Sequence, residues 1–312
     1  LALIASLDRT HTALSNAGED TKHGVFKSHW SYFHIIKGLI SRERRLPSHL
    51  QLWCVVADDK ELGELGEPGK QDDTNSAAVP PLYCVGDSHV VSMGHRRIRT
   101  RSNGAWRRTI PWVVTGLKAW HVQLGSSYFT GENLRRALAA ILVAGDKVTP
   151  VECLISAGEI DVREGITHAV ESGKYHTVKE AVHHTVKAYV EGIVTLIHDI
   201  DPAGARLRVF MFPVLPHARR RGNAGRFKNR QTRRNLQQMW NDELKQELMP
   251  VAADGQEGAD AQLLFLDISG DFEDAAGPFL RPELSLDDGT HANAKALQII
   301  QRGIIQAVTR FT

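Results

Sequence analysis

The chain has 312 residues, 42% hydrophobic and 24% charged, the composition of an ordinary globular protein with enough apolar material for a real core. Its 38 basic residues are offset by 36 acidic ones, a formal net charge of +2, so no global field draws it to nucleic acid or to an anionic membrane. No apolar run reaches the roughly 20 residues that span a bilayer, and we expect a soluble protein.

The first 79 residues read as an N-terminal extension and linker. Within them, 23–40 (HGVFKSHWSYFHIIKGLI) suits a helix or packed arm and 51–57 (QLWCVVA) a short strand, while 58–81 is rich in Gly, Pro and acidic residues and reads as a linker or long loop. From residue 80 to 312 the pattern is one α/β domain. The apolar run 81–85 (PLYCV) exits abruptly into Gly86-Asp87-Ser88-His89. A cluster of Arg96, Arg97, Arg99, Arg101, Arg107 and Arg108 follows and reads as solvated. Helical periodicity over 133–143, an apolar run at 151–157 (VECLISA) and an amphipathic helix at 176–200 come next. They are followed by a strand at 206–214, a polar helix at about 230–248, a strand at 262–268 and a last helix at 292–308. Apolar strands alternating with helices predict a parallel sheet covered on both faces.

The charge is local. Arg219, Arg220, Arg221, Arg226, Lys228, Arg230, Arg233 and Arg234 fall within sixteen positions, a solvated loop and helix start whose other reading is a surface for an anionic substrate or a protein partner. The N-terminal arm is a second place for a partner. Cys54, Cys84 and Cys153 have neither CxxC spacing nor an even count, which signals no zinc site or disulfide framework. Cys84 and Cys153 lie in apolar runs and read as small core residues. That usage leans to a reducing compartment, and with Leu1 rather than Met at the start the targeting of the chain is left open. His183, His184 and His198 fall within the long helix and read as solvated or core-edge. No ligand set emerges from spacing, so no metal and no cofactor are expected.

In an open parallel sheet, loops and helix N-termini converge beyond the carboxyl ends of the strands, and ligands bind there. Three motifs fall at such ends: Gly86-Asp87-Ser88-His89, Gly158-Glu159-Ile160-Asp161 and Asp288-Gly289-Thr290-His291. A serine hydroxyl becomes a nucleophile only beside a base that is itself oriented. Ser88 with His291 as base and Asp288, three residues earlier on the same turn, meets that requirement.

The first and last of these motifs resemble the opening and closing blocks of the SGNH/GDSL hydrolase family, over about residues 80–312. The resemblance implies a flavodoxin-like three-layer α/β/α sandwich, Ser88 as nucleophile, and Asp288 and His291 as the rest of the triad. It implies Gly116, in VVTGLKAWH, as the second-block glycine whose N–H faces the oxyanion. The third block, Gly-x-Asn-Asp in the family, reads Gly158-Glu159-Ile160-Asp161 here. Ile160 cannot donate a hydrogen bond, and losing one oxyanion donor costs about 100- to 1,000-fold in rate. Arg163, His89 and His121 are candidates to fill that gap, and a cation there suits an anionic ester. Arg163 held between Glu159 and Asp161 as a structural ion pair is the other reading. Trp112 and Trp120 flank Gly116 as an apolar wall or as core, and His217 ends another strand near the site.

Three functions follow. The leading one is a serine esterase or deacetylase acting on a small-molecule or glycan ester. The second is an acyltransferase using the same acyl-Ser88. The third is a non-catalytic SGNH-like subunit of a larger assembly.

Overall fold

A computed structural model describes residues 80–310, apart from 95, 102–103, 115, 146–149, 205, 218–229, 254–262, 276, 278, 286–290 and 294. The expectations for residues 1–79, for Cys54, for Arg219 to Lys228 and for Asp288 lie outside the described residues.

Five strands form a parallel sheet in the order β3 (Arg107–Val113), β1 (Leu82–Gly86), β4 (Val151–Ser156), β5 (Leu207–Met211), β6 (Leu263–Phe265). The short β2 (Arg97–Ile98) adds antiparallel to β3 at the edge. Side chains alternate across the sheet. Tyr83 and Val85 of β1, with Cys153 and Ile155 of β4, enter the core beneath α1 (Phe129–Ala144), α3 (Val178–Ile200) and α4 (Arg230–Ala253). Leu82, Cys84, Leu154 and Phe210 enter a second core covered by Ile300, Ile304 and Val308 of α5 (Ala296–Arg310). Both faces are thus apolar, which is why the strands read as continuous runs. The chain is a three-layer α/β/α sandwich around a mainly parallel sheet, and Cys84 and Cys153 are buried within it.

Helix starts are set by local chemistry. Thr177 accepts from the Glu180 amide through its hydroxyl while Glu180 accepts from the His176 amide, so α3 begins at a capping-box-like turn. The last helix starts at Ala296, later than the Ala292 expected from periodicity, because Ala292 bridges Ser285 and Asn293 bonds the Leu284 carbonyl instead. A short α2 (Ile166–Glu171) precedes α3.

The first arginine cluster is solvated at Arg97, Arg101 and Arg108 but not at Arg107. It lies on β2, β3 and their connection, and Arg107 points inward. Its guanidinium bonds the buried Glu152, the Thr100 hydroxyl and the carbonyls of Pro80 and Pro81, and Arg208 bonds the same carboxylate at 3.2 Å. Pro111 is tolerated in β3 because, among the described residues, β2 pairs only with Arg107 and Arg108, so no strand pairs with the Pro111 position on that side. Glu152→Ala strands the Arg107 guanidinium in the core and should cost about 3–5 kcal/mol in urea unfolding. A loss below about 1 kcal/mol would show that solvent reaches Arg107 and replaces its partner.

Candidate active site

The strand order reverses between β1 and its neighbour β4, the position where a doubly wound sheet leaves an open crevice at its carboxyl end. β1 ends at Gly86, and the chain turns at once into a 3₁₀ turn, Ser88–Met93, capped by the Asp87 carboxylate, which accepts from the His89 amide. Ser88 therefore stands half-buried at the first position of that turn. His291 arrives from the far end of the chain, five residues before α5, and is buried. Its Nε2 lies 2.7 Å from Ser88 Oγ, so the hydroxyl can donate directly to the imidazole.

Beside this pair lies a second imidazole. His89 Nδ1 is 2.9 Å from Asp87 Oδ1, and the His89 and His291 rings are 4.6 Å apart at 44°. Burial pushes the Asp87 carboxyl up, but the His89 charge and its hydrogen bonds outweigh burial and hold it below the usual carboxylate range. Burial likewise pushes His89 down, and Asp87 outweighs it, with help from Glu159 and against Arg163, so His89 holds its proton to higher pH than a free imidazole.

The third-block segment does not turn outward as a loop. Gly158 has φ +105°, and a Cβ there would sit 2.7 Å from the Trp240 ring, so both conformation and space require glycine. The following residues continue into a π-helical turn, Asp161–Gly165. Glu159 is buried and bonds Arg163 of the same turn at 2.9 Å and Arg233 of α4 at 2.8 Å. Arg163 also bonds Glu164 at 3.1 Å, so both Nε and Nη1 of its fork face carboxylates. The reading of Arg163 as an ion-paired residue fits this geometry with Glu159 as partner, but Asp161 takes no part in it. Arg233 corrects the solvated reading of its cluster in the same way, being buried against Glu159.

Asp161 instead reaches across to the loop after β3. Its carboxylate accepts from the Ala119 amide at 2.7 Å and the Trp120 amide at 3.4 Å. The loop is gripped from two more sides: a Cβ on Gly192 of α3 would fall 2.1 Å from the Val122 carbonyl oxygen, and one on Gly131 of α1 would fall 2.5 Å from that of His121. Gly116, at the start of this loop, has φ +73°, where a side chain would meet no neighbour but would strain the backbone. Sequence reasoning missed Gly131 and Gly192 because a helical glycine carries no motif of its own.

His121 is held from two sides. Its Nδ1 lies 2.7 Å from the Thr130 hydroxyl, its ring stacks on Tyr128, and burial with nearby Lys118 pushes it down to about 4. Trp120 is half-buried beneath the Lys174 ammonium, 3.4 Å from the ring centroid, and Trp112 is 38% exposed, so neither is core. The loop after β5 is held by α4: Asn241 accepts from the Val214 amide and donates to its carbonyl, both at 2.9 Å. His217 packs its ring against Phe279. His183 pairs with Glu243 at 2.6 Å, and with Glu247 these form a group, among the described residues, whose ligand atoms come within 4.8 Å of one another. Spacing hid that group because its members are on different helices.

No protein-family model matches the sequence, and no curated protein matches it significantly. Among solved structures, the chain is similar to a lipase from a goat rumen metagenome at 14% identity and TM-score 0.44, covering 73% of this chain and 97% of that one. It is similar to a GDSL-like lipase from Bacteroides thetaiotaomicron at 16% identity and TM-score 0.41, covering 75% and 92%. A carbohydrate acetylesterase from Sinorhizobium meliloti stands at 14% and TM-score 0.38, covering 75% and 100%. Among the described residues, no helix is long and apolar enough to cross a membrane.

Burial pushes the Asp161 carboxyl up to about 6, against the two loop amides and Lys118 that favour its charge. A carboxyl raised above its unfolded value of about 3.9 contributes stability below that value and loses it as pH rises through the folded one. Asp161→Asn should therefore gain on the native protein as pH rises from about 4 to 7, by up to about 3 kcal/mol for a shift of about two units. Urea unfolding at both ends of that range checks it; a difference between the proteins that does not change with pH would contradict the buried carboxyl.

Proposed function

We propose that the protein is a serine ester hydrolase of SGNH type, with Ser88 as nucleophile and His291 as base. The observation that carries this reading is the 2.7 Å contact between Ser88 Oγ and His291 Nε2 at the switch point of the sheet. In it, Ser88 attacks an ester carbonyl, His291 takes the hydroxyl proton and returns it to the leaving alcohol, and Asp288 orients His291. The backbone around Ser88, Gly116 and Gly158 receives the oxyanion, and Asp161 holds the Gly116 loop in place through Ala119 and Trp120. An acylated sugar is one substrate class this reading admits, in keeping with the acetylesterase among the similar structures. Handing the acyl group to another hydroxyl would use the same machinery.

Hydrolysis of p-nitrophenyl acetate tests it. Ser88→Ala and His291→Ala should each lower kcat/KM by about 10,000-fold or more while the fold is retained, as removal of either member of a nucleophile–base pair does. Turnover that survives both substitutions would overturn the assignment.

A further inference from the structure

The family pattern places an oxyanion-binding asparagine where this chain has Ile160, a half-buried aliphatic side chain with no donor. Of the polar groups close by, Arg163 gives Nε to Glu164 and Nη1 to Glu159, and His121 has Nδ1 against the Thr130 hydroxyl and its ring stacked on Tyr128. His89 is differently placed. It follows Ser88 directly on the 3₁₀ turn and its ring lies 4.6 Å from that of His291, whose Nε2 touches Ser88 Oγ. The Asp87 carboxylate, an acceptor, fixes Nδ1 as a donor, and Nε2 has no hydrogen-bond partner among the described residues. We propose that His89, as an imidazolium clamped by Asp87, donates its Nε2–H to the developing oxyanion and so takes the part of the missing asparagine. This rests on the hydrolase reading.

In the step, the Ser88 Oγ–carbon bond forms as the carbonyl π pair moves onto oxygen and the Ser88 proton passes to His291. His89 gives a hydrogen bond and keeps its own proton. When the tetrahedral species collapses, the carbonyl reforms, the ester C–O bond breaks, and the departing alkoxide takes the proton from His291. Asp87 balances the His89 charge from its own turn. Glu159 and Arg163 face the ring from the turn after β4, and His291 from the segment before α5. A donor that works only as a cation imposes a sign: activity falls as pH rises through the point where His89 loses its proton, the opposite limb from that of a general base. Its upward displacement by Asp87 moves that limb to higher pH.

The test is kcat and KM for p-nitrophenyl acetate from pH 5 to 10 in the native protein, His89→Leu and His89→Gln. The native profile should be bell-shaped. His89→Leu should lose about 100- to 1,000-fold in kcat with little change in KM, the effect of removing one oxyanion donor. His89→Gln, which keeps a neutral N–H donor, should recover part of that loss, and both variants should lack the basic limb. If His89→Leu fails to fold with Asp87 unpartnered, Asp87→Asn combined with His89→Gln removes both charges and is read the same way. An active native enzyme whose His89 variants keep both its rate and its basic limb overturns this proposal alone. A native protein without turnover overturns the hydrolase reading and this proposal with it.

Discussion

The hydrogen bond from Ser88 to His291 joins residues 203 positions apart, and it forms only if the sheet is wound so that the end of β1 and the segment before α5 meet. Parallel strands meet that demand because every strand delivers its carboxyl end to the same side. The strand order reverses between β1 and β4, the place where a doubly wound sheet leaves room for a site at its carboxyl end. A serine alone on the Asp87-capped turn would be an ordinary turn residue; the imidazole at 2.7 Å gives its hydroxyl a hydrogen-bond partner.

What surrounds this pair is held by buried polar bonds rather than by apolar contact alone. Asp161 ties the loop after β3 to the turn after β4, Glu159 ties that turn to α4 through Arg233, and Asn241 of α4 ties the loop after β5. Arg233 and Asn241 act from a helix, Glu159 and Asp161 from the turn itself. The three crevice loops are thereby braced from beneath, which is the support a preorganised site needs, since small displacements of its donors cost large factors in rate.

Much of this could be read before any coordinates. Apolar runs gave the strands β1, β4, β5 and β6, and the two terminal motifs gave Ser88 and His291, because residue types at strand ends carry their chemistry openly. The strand β3 was hidden. Its arginines look solvent-facing, and the charge that balances buried Arg107 is Glu152 on β4, 45 positions away. The boundary of α5 was misread because the bridge from Ala292 to Ser285 competes with helix and leaves no periodic trace. Within the site, Ile160 was visible as a residue without a donor, but the partners of the polar groups around it were not. Arg163, His89 and His121 were all candidates for that place, and their partners are set by packing rather than by spacing.

The central claim is that Ser88 is an activated nucleophile, and covalent capture addresses it without assuming a substrate. The folded protein should be treated with a fluorophosphonate and the adduct mapped by peptide mass spectrometry. The account predicts one phosphonyl group, on Ser88, absent from His291→Ala. No adduct on well-folded protein, or an adduct on another residue while Ser88 stays unmodified, would contradict it.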